Sequence, residues 1–391
     1  MTSIAATGQL LLHGRLDFAT PGAARLQEFL RGADASMGNL EATVESPGAW
    51  PTKTKTLHLA AASALQSVRD LGFDVATHAN NHAFDLGPPG IVSTRAAAEA
   101  ASLAFTGSGV NIDEAARPAF VDANGHRIAV LAVDLGPQGD IVYASSERAG
   151  VAPLRMRRTI AIPDAEFDSM RRVSAELGDD LRERSRSRMG YRQEALAQDQ
   201  TETFGQNIRR GKGIQAEWSP HAGDWAAFEA RLTEVRKASD LVAISVHSHH
   251  WDPDWGRTPQ WLHALACSFI DLGAHMVVGT GSPVLQPVAF HRGRPILGGL
   301  GNLIFHTQRS ATYDREGVDV WTGAACRAEF DATGQCHELS IMPVAVGRPD
   351  AGPNGLPMAP QALEGDAARV VFNRMSAGLG AEARTRVVLA T

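Results

Sequence analysis

The chain predicts an α/β sandwich, and three observations carry that prediction. Short apolar runs alternate with segments of helical periodicity along the first third of the sequence. Two runs, RIAVLAVD at Arg127–Asp134 and LVAISVH at Leu241–His247, are apolar without interruption, the pattern of strands covered on both faces. Helix boundaries are marked by Thr-Pro starts at Thr20-Pro21 and Thr258-Pro259 and by glycine stops at Gly72 and Gly273.

Taken in order, Ile4 to Leu12 reads as a strand, and Thr20-Pro21 opens a helix running to about Arg31. Ala35 to Glu41 is a short strand. Ala60 to Leu71 has Leu65, Val68 and Leu71 at helical spacing, and Phe73 to Thr77 is the next strand. A helix follows near Gly90 to Ala101. Later come a helix at Asp224 to Ala238, the strand LVAISVH, and a helix with Leu262, Leu265, Ala266, Phe269 and Ile270 on one face. His275 to Gly279, Val284 to Phe290 and Pro295 to Leu297 read as strands, with Arg292-Gly293 as a hairpin turn. Arg327 to Phe330 and Cys336 to Val344 are late strands. Between Val151 and Trp218 the composition changes to Arg, Glu, Gln and Ser. This predicts an insertion with one helix at Asp164 to Leu177 and a long polar stretch, a solvated cap.

Composition bounds the function classes. The 391 residues are 44% hydrophobic and 20% charged, with a net charge of −6, which gives no global attraction for nucleic acid. The three cysteines Cys267, Cys326 and Cys336 are far apart and form no CxxC pair, against a disulfide framework. Met1-Thr2-Ser3 runs into a strand with no basic-then-apolar leader, and no run is long enough to span a bilayer. The expectation is a soluble, cytoplasmic protein without a nucleic-acid or membrane partner. Arginine dominates the basic residues; Lys53, Lys55, Lys212 and Lys237 are the only lysines.

Four segments put polar residues at strand ends, where α/β folds keep their sites. They are Gly8-Gln9; MGNLEATV, with Asn39 and Glu41; HANNHAFDLG, with Asn80, Asn81, His82 and Asp85; and SVHSHHWDPDW, with His247, His249, His250, Trp251, Asp252 and Asp254. Carboxylate, amide oxygen and imidazole are ligands of hydrolytic divalent metals. Glu41, Asn81 and His247 are the candidate ligands, and His82 beside Asn81 is a candidate acid or base. An Asn-Asn-His turn also serves as a plain helix cap, and a lone histidine at a strand end is usually only hydrogen-bonded. Three histidines in four residues, closing a buried strand before Trp-Asp-Pro-Asp-Trp, favour the functional reading.

The order of these segments resembles the CapA family, named for poly-γ-glutamate capsule synthesis. ANNHAFDLG followed by FTGSG is similar to the family's most specific motif, and NLEATV to its Asn-Leu-Glu segment. SVHSHHWDP resembles its His-terminated strand; LGAHMVVGTGSPVLQPV and PILGGLGNLIF resemble its last core segments. The resemblance covers Ala6 to about Phe305. It implies a four-layer α/β/β/α sandwich of the calcineurin-like, metallo-dependent phosphatase type over residues 1–345. The polar insertion falls at about 151–220, and 346–391 is a tail with a helix packed on the domain. It also implies activity on poly-γ-glutamate or, as in relatives that epimerise lasso-peptide precursors, on peptides.

Two departures stand out. The family opens with Gly-Asp, a metal-binding carboxylate, and here Gln9 stands in its place; the histidines of its Gly-His-x-Pro-His segment are replaced by Thr280, Ser282 and Pro283. An amide binds a divalent cation far more weakly than a carboxylate. The expectation is therefore no cofactor, or one divalent ion (Mn, Mg, Ca or Zn) at a reduced site of Glu41, Asn81 and His247, with His249 as a further ligand. The leading reading is an enzyme acting on a peptide or small amide-containing substrate, by hydrolysis or by epimerisation next to a carbonyl. His82, His247, His249 and Glu41 would be catalytic. Gln9, Asn39, Asn80, His250, Trp251 and Asp254 would bind substrate, and arginines of the insertion would meet a substrate carboxylate. The alternatives are a binding protein with a decayed metal site and a phosphoesterase with ligands replaced by His13, His78 or Asp17.

Overall fold

The computed structural model describes residues 1–54, 56–191, 197, 199–350, 352 and 354–390. Part of the polar stretch expected in the insertion, residues 192–196 and 198, lies outside the described residues. The chain forms two compact units, residues 1–154 with 226–391, and residues 155–225.

The larger unit is built on two sheets. The first has the order Gln361–Ala362, Cys336–Ala345, Thr322–Phe330, Thr2–Leu11, Ala35–Leu40, Val75–Thr77, Ala104–Thr106. Asn302–Phe305 also pairs, in parallel, with Thr2–Leu11, and Val387–Leu389 with Cys336–Ala345. The second runs Val288–His291, Arg294–Leu297, Met276–Thr280, Leu241–His247, His126–Asp134, Ala119–Ala123.

Alternation along the strands explains why the sheets stack. Ile4 and Ala6 share one apolar cluster with Met37, Val75, Ile128, Val130, Leu241, Ala243, Met276 and Val278, so this cluster lies between the sheets. Ala5 and Leu10 face the other way, into a cluster with Leu26, Leu30, Leu65, Val68, Ala97 and Ala98 of the helices Pro21–Arg31, Ser63–Leu71 and Gly87–Ala100. On the far face of the second sheet, Phe269 of the helix Gln260–Asp271 is fully buried and its ring lies 4.9 Å from that of Phe228. The layers are α/β/β/α, the sandwich the sequence predicts. Each fully buried Leu, Ile or Phe side chain in them contributes about 1.5–3 kcal/mol.

The local signals behave as their chemistry requires. Thr20 caps its helix by accepting from Ala23 N, with Pro21 in the first turn. Gly72 ends its helix at φ 113°, a left-handed position that favours glycine. Among the described residues, no helix is long and apolar enough to cross a membrane.

The smaller unit differs from the expected polar cap. It contains a four-stranded sheet, Gln200–Thr203, Gln206–Arg210, Met156–Ile162, Gln215–Pro220, with helices Asp164–Glu176 and Asp179–Arg188. Its core is small: Ile162, Phe167 and Ile208. Arg210 lies over the Phe167 ring and pairs with Asp164 and Asp168, so the arginines of this unit that make such contacts are structural.

Candidate metal centre

Strand ends, and the loops that leave them, deliver the converging side chains. Thr2–Leu11, Ala35–Leu40, Val75–Thr77, Leu241–His247 and Met276–Thr280 lie in parallel ladders, and their carboxyl ends carry Gln9, Asn39 with Glu41, His78 to His82, His247 and Thr280. Gly8 is needed for close approach: a Cβ there would meet Gly301 O at 1.9 Å. The ladder registers shift beside it, a bulge that re-aims Gln9.

Four donor atoms converge. His247 Nε2 and His249 Nε2 lie 2.9 and 3.1 Å from Asn81 Oδ1, and 3.8 and 3.9 Å from Glu41 Oε1. Glu41, His247 and His249 offer ligand atoms all within 4.8 Å of one another. Four ligands at metal–ligand bonds of ~2.1 Å around a tetrahedral ion sit ~3.4 Å apart, and the observed separations bracket that value. This donor set fits one divalent ion. Behind it, His247 Nδ1 lies 3.1 Å from Thr280 Oγ1, which fixes the ring with Nε2 turned to the centre.

The other half of a two-metal site does not fit. Gln9 directs its amide Nε2 at Glu41 Oε2, so an N–H donor, not a carboxylate oxygen, stands at this edge of the centre, and an N–H cannot ligate a cation. Thr280 is engaged with His247, and the Ser282 hydroxyl lies 3.3 Å from Val284 O.

Electrostatics suit metal binding. Burial opposes the charge on Glu41, but the imidazoles of His247, His249 and His82 outweigh it and hold the carboxyl well below its usual range. Burial lowers His247 to about 3 against the pull of Glu41. Near neutral pH the pair is carboxylate plus neutral imidazole, the protonation state a metal ligand needs.

A second network adjoins it. His82 Nδ1 is 2.7 Å from Asp85 Oδ2, and Asp85 Oδ1 is 2.5 Å from Lys53 Nζ, with the Lys53 and Asp85 side chains fully buried. Lys53 also donates to Asn81 O, so it ties the His82–Asp85 pair to the ligand-bearing loop. A cleft of about 280 Å3 opens on the site, lined among others by Gln9, Glu41, Asn81, His82, His249 and Trp251. Asn302, Phe305, Arg309 and Tyr313 are also part of its wall.

The structure separates the sequence candidates. Glu41, Asn81, His247 and His249 come together, and His82 lines the cleft. His247 is 1% exposed with both ring nitrogens engaged, which suits a ligand rather than a proton carrier. Asn39 and Asn80 are buried supports: Asn80 donates to Asn39 Oδ1 and Leu40 O, and Asn39 Nδ2 lies 3.5 Å from His247 Nδ1. His250 turns to Leu135 O, and the Asp254 carboxylate accepts from Gly256 N in an exposed turn; neither is part of the cleft wall. Gln9 and Trp251 are. The proposed replacements do other work. His78 is held by Ser108 Oγ and Ala42 O, and Asp17 by Asn354. His13 meets the His306 ring edge to face, with ring centroids 5.3 Å apart, and lies nearly parallel to His58 at 6.5 Å.

Sequence reasoning missed Lys53, Asn302 and Asp134. Burial pushes the Asp134 carboxyl up to about 6, against hydrogen bonds from Tyr143 and Gly136; it ends the strand paired with His247. The scarcity of lysine was the one available signal for Lys53.

The chain is 22% identical over 324 residues to the PGA biosynthesis protein CapA of Bacillus subtilis (strain 168), covering 82% of this chain and 66% of that protein. It is 24% identical over 291 residues to the capsule biosynthesis protein CapA of Bacillus anthracis, covering 73% and 54%. It is also 24% identical over 308 residues to the uncharacterized protein y4sH of Sinorhizobium fredii (strain NBRC 101917 / NGR234), covering 74% of this chain and 63% of that protein. The chain thus spans roughly half to two thirds of the length of these relatives. Among solved structures, a phosphatase of Mycoplasma pneumoniae aligns with a TM-score of 0.42 at 9% identity, over 88% of this chain and 93% of that one. The model of the bacterial capsule synthesis protein PGA_cap matches residues 3–307, and the chain belongs to that family.

Proposed function

We propose that the chain is a mononuclear, CapA-type enzyme that acts on an amide-containing peptide or γ-glutamyl substrate by acid–base chemistry. The observation that carries this reading is the pairing of Gln9 with Glu41, which removes the second metal position while four donors of the first remain. Glu41, Asn81, His247 and His249 would hold the ion. When bound, a divalent ion supplies Lewis acidity toward a carbonyl oxygen and lowers the pKa of a bound water.

The chain's own groups do the rest. His82 is fixed through Nδ1 by Asp85, which leaves Nε2 to take or give a proton at the amide nitrogen or at the carbon beside the carbonyl. Lys53 holds Asp85 in place. Trp251, Phe305 and Tyr313 give the cleft apolar walls that limit water at the reacting bond. Hydrolysis and epimerisation share these requirements.

The test is to incubate manganese- or zinc-loaded protein with α- and γ-glutamyl dipeptides in D2O. A new amine reports hydrolysis, and deuterium at an α-carbon reports epimerisation. Activity abolished in His82→Ala, with metal binding intact, is expected. Turnover of a chromogenic phosphate ester in place of any amide, or binding of the peptides without turnover, would overturn the reading.

A further inference from the structure

Among the described residues, two buried amide oxygens in the cleft wall have no hydrogen-bond partner: Gln9 Oε1 and Asn302 Oδ1. Gln9 and Asn302 are register partners across the parallel pair Thr2–Leu11 and Asn302–Phe305, and are 4% and 0% exposed. The orientation of each amide follows from its nitrogen. Gln9 Nε2 is directed at Glu41 Oε2, and Asn302 Nδ2 lies 3.3 Å from Pro283 O and 3.2 Å from Val320 O. Turning either amide over would set oxygen against oxygen, so the orphaned atoms are the acceptors. Leaving a buried acceptor unpaired costs about 1–3 kcal/mol, and here two belong to register partners on adjacent strands, in the wall of the cleft that Glu41 also lines.

We propose that this pair receives a primary ammonium group of the substrate, in the place where a two-metal relative would hold its second cation. An ammonium carries three donors and no acceptor. It suits two amide oxygens in a cleft that a carboxylate also lines, where a divalent ion lacks the charged ligands it needs. The inference rests on the one-metal reading above and deepens it: the favoured substrate is an amide with a free amino group near the reacting bond, such as the first residue of a peptide or a γ-glutamyl unit.

The test is calorimetric titration of the manganese-loaded wild-type protein with glycinamide and with N-acetylglycinamide, repeated with potassium chloride and with Asn302→Leu. Loss of a charge-assisted hydrogen bond predicts glycinamide binding at least tenfold tighter than its acetylated form, and at least tenfold weaker binding to Asn302→Leu. The wild-type probe pair decides even if the variant does not fold. Equal binding of the two probes, no heat with glycinamide, or potassium binding that glycinamide does not displace would overturn the assignment. Manganese stoichiometry from the same samples separates this failure from failure of the one-metal reading.

Discussion

Gln9 directs its side-chain amide at Oε2 of Glu41, while Oε1 of the same carboxylate faces His247 and His249. One carboxylate is thereby divided between an amide donor and a face turned to two imidazoles. On the proposed one-metal reading, the glutamine does more than fail to bind: its amide gives Glu41 a donor that leaves the other carboxylate oxygen for a single ion.

His249 is the proposed ligand that the sequence motif identifies least firmly, and it separates readings. His249→Ala removes one of four donors and is expected to weaken manganese or zinc binding about 100-fold in chelator competition. His250→Ala, one residue on, is expected to leave it unchanged, because that ring is turned to Leu135 O. Similar losses in both variants would mean the loop acts only as a unit.

Lys53 and Asp85 form a fully buried ion pair. Lys53→Met removes the ammonium from the buried carboxylate, leaving it only the His82 ring and the His58 N–H, and a loss of about 3–5 kcal/mol in urea unfolding is expected. Adding Asp85→Asn is expected to recover part of that loss, since the buried charge is gone. Full additivity of the two changes would show that they do not interact.

Stability is expected to fall as pH drops below the ordinary histidine range. Burial lowers His78 to about 4 and His275 to about 3 from 6.5, so between those limits the unfolded chain takes up protons the folded chain refuses. Their contribution is complete above pH 6.5 and is lost on acidification toward pH 4, on the order of 1–3 kcal/mol for each. Denaturant unfolding at pH 7 and pH 5 measures this, and His275→Gln is expected to flatten the dependence. A stability that rises toward pH 5 would contradict it.

Much of the architecture was legible because its signals are local. The apolar runs Arg127–Asp134 and Leu241–His247 and the Thr-Pro and glycine boundaries fall where the sheets and helices do. The strands Gln200–Thr203, Gln206–Arg210 and Gln215–Pro220 were not legible, because they are polar, mostly half-exposed and framed by a three-residue core. At the centre, Asn81 and His82, or His247 and His249, are neighbours in sequence and could be read together. Lys53 with Asp85, and Asn302 with Gln9, meet only through the fold, so no spacing announced them.

Metal stoichiometry tests the central claim most directly. Protein loaded with manganese or zinc, freed of excess ion and analysed by mass spectrometry, is expected to hold one ion per chain, and Glu41→Gln with His247→Ala is expected to hold none. Two ions per wild-type chain, or one that survives loss of Glu41 and His247, would contradict the account.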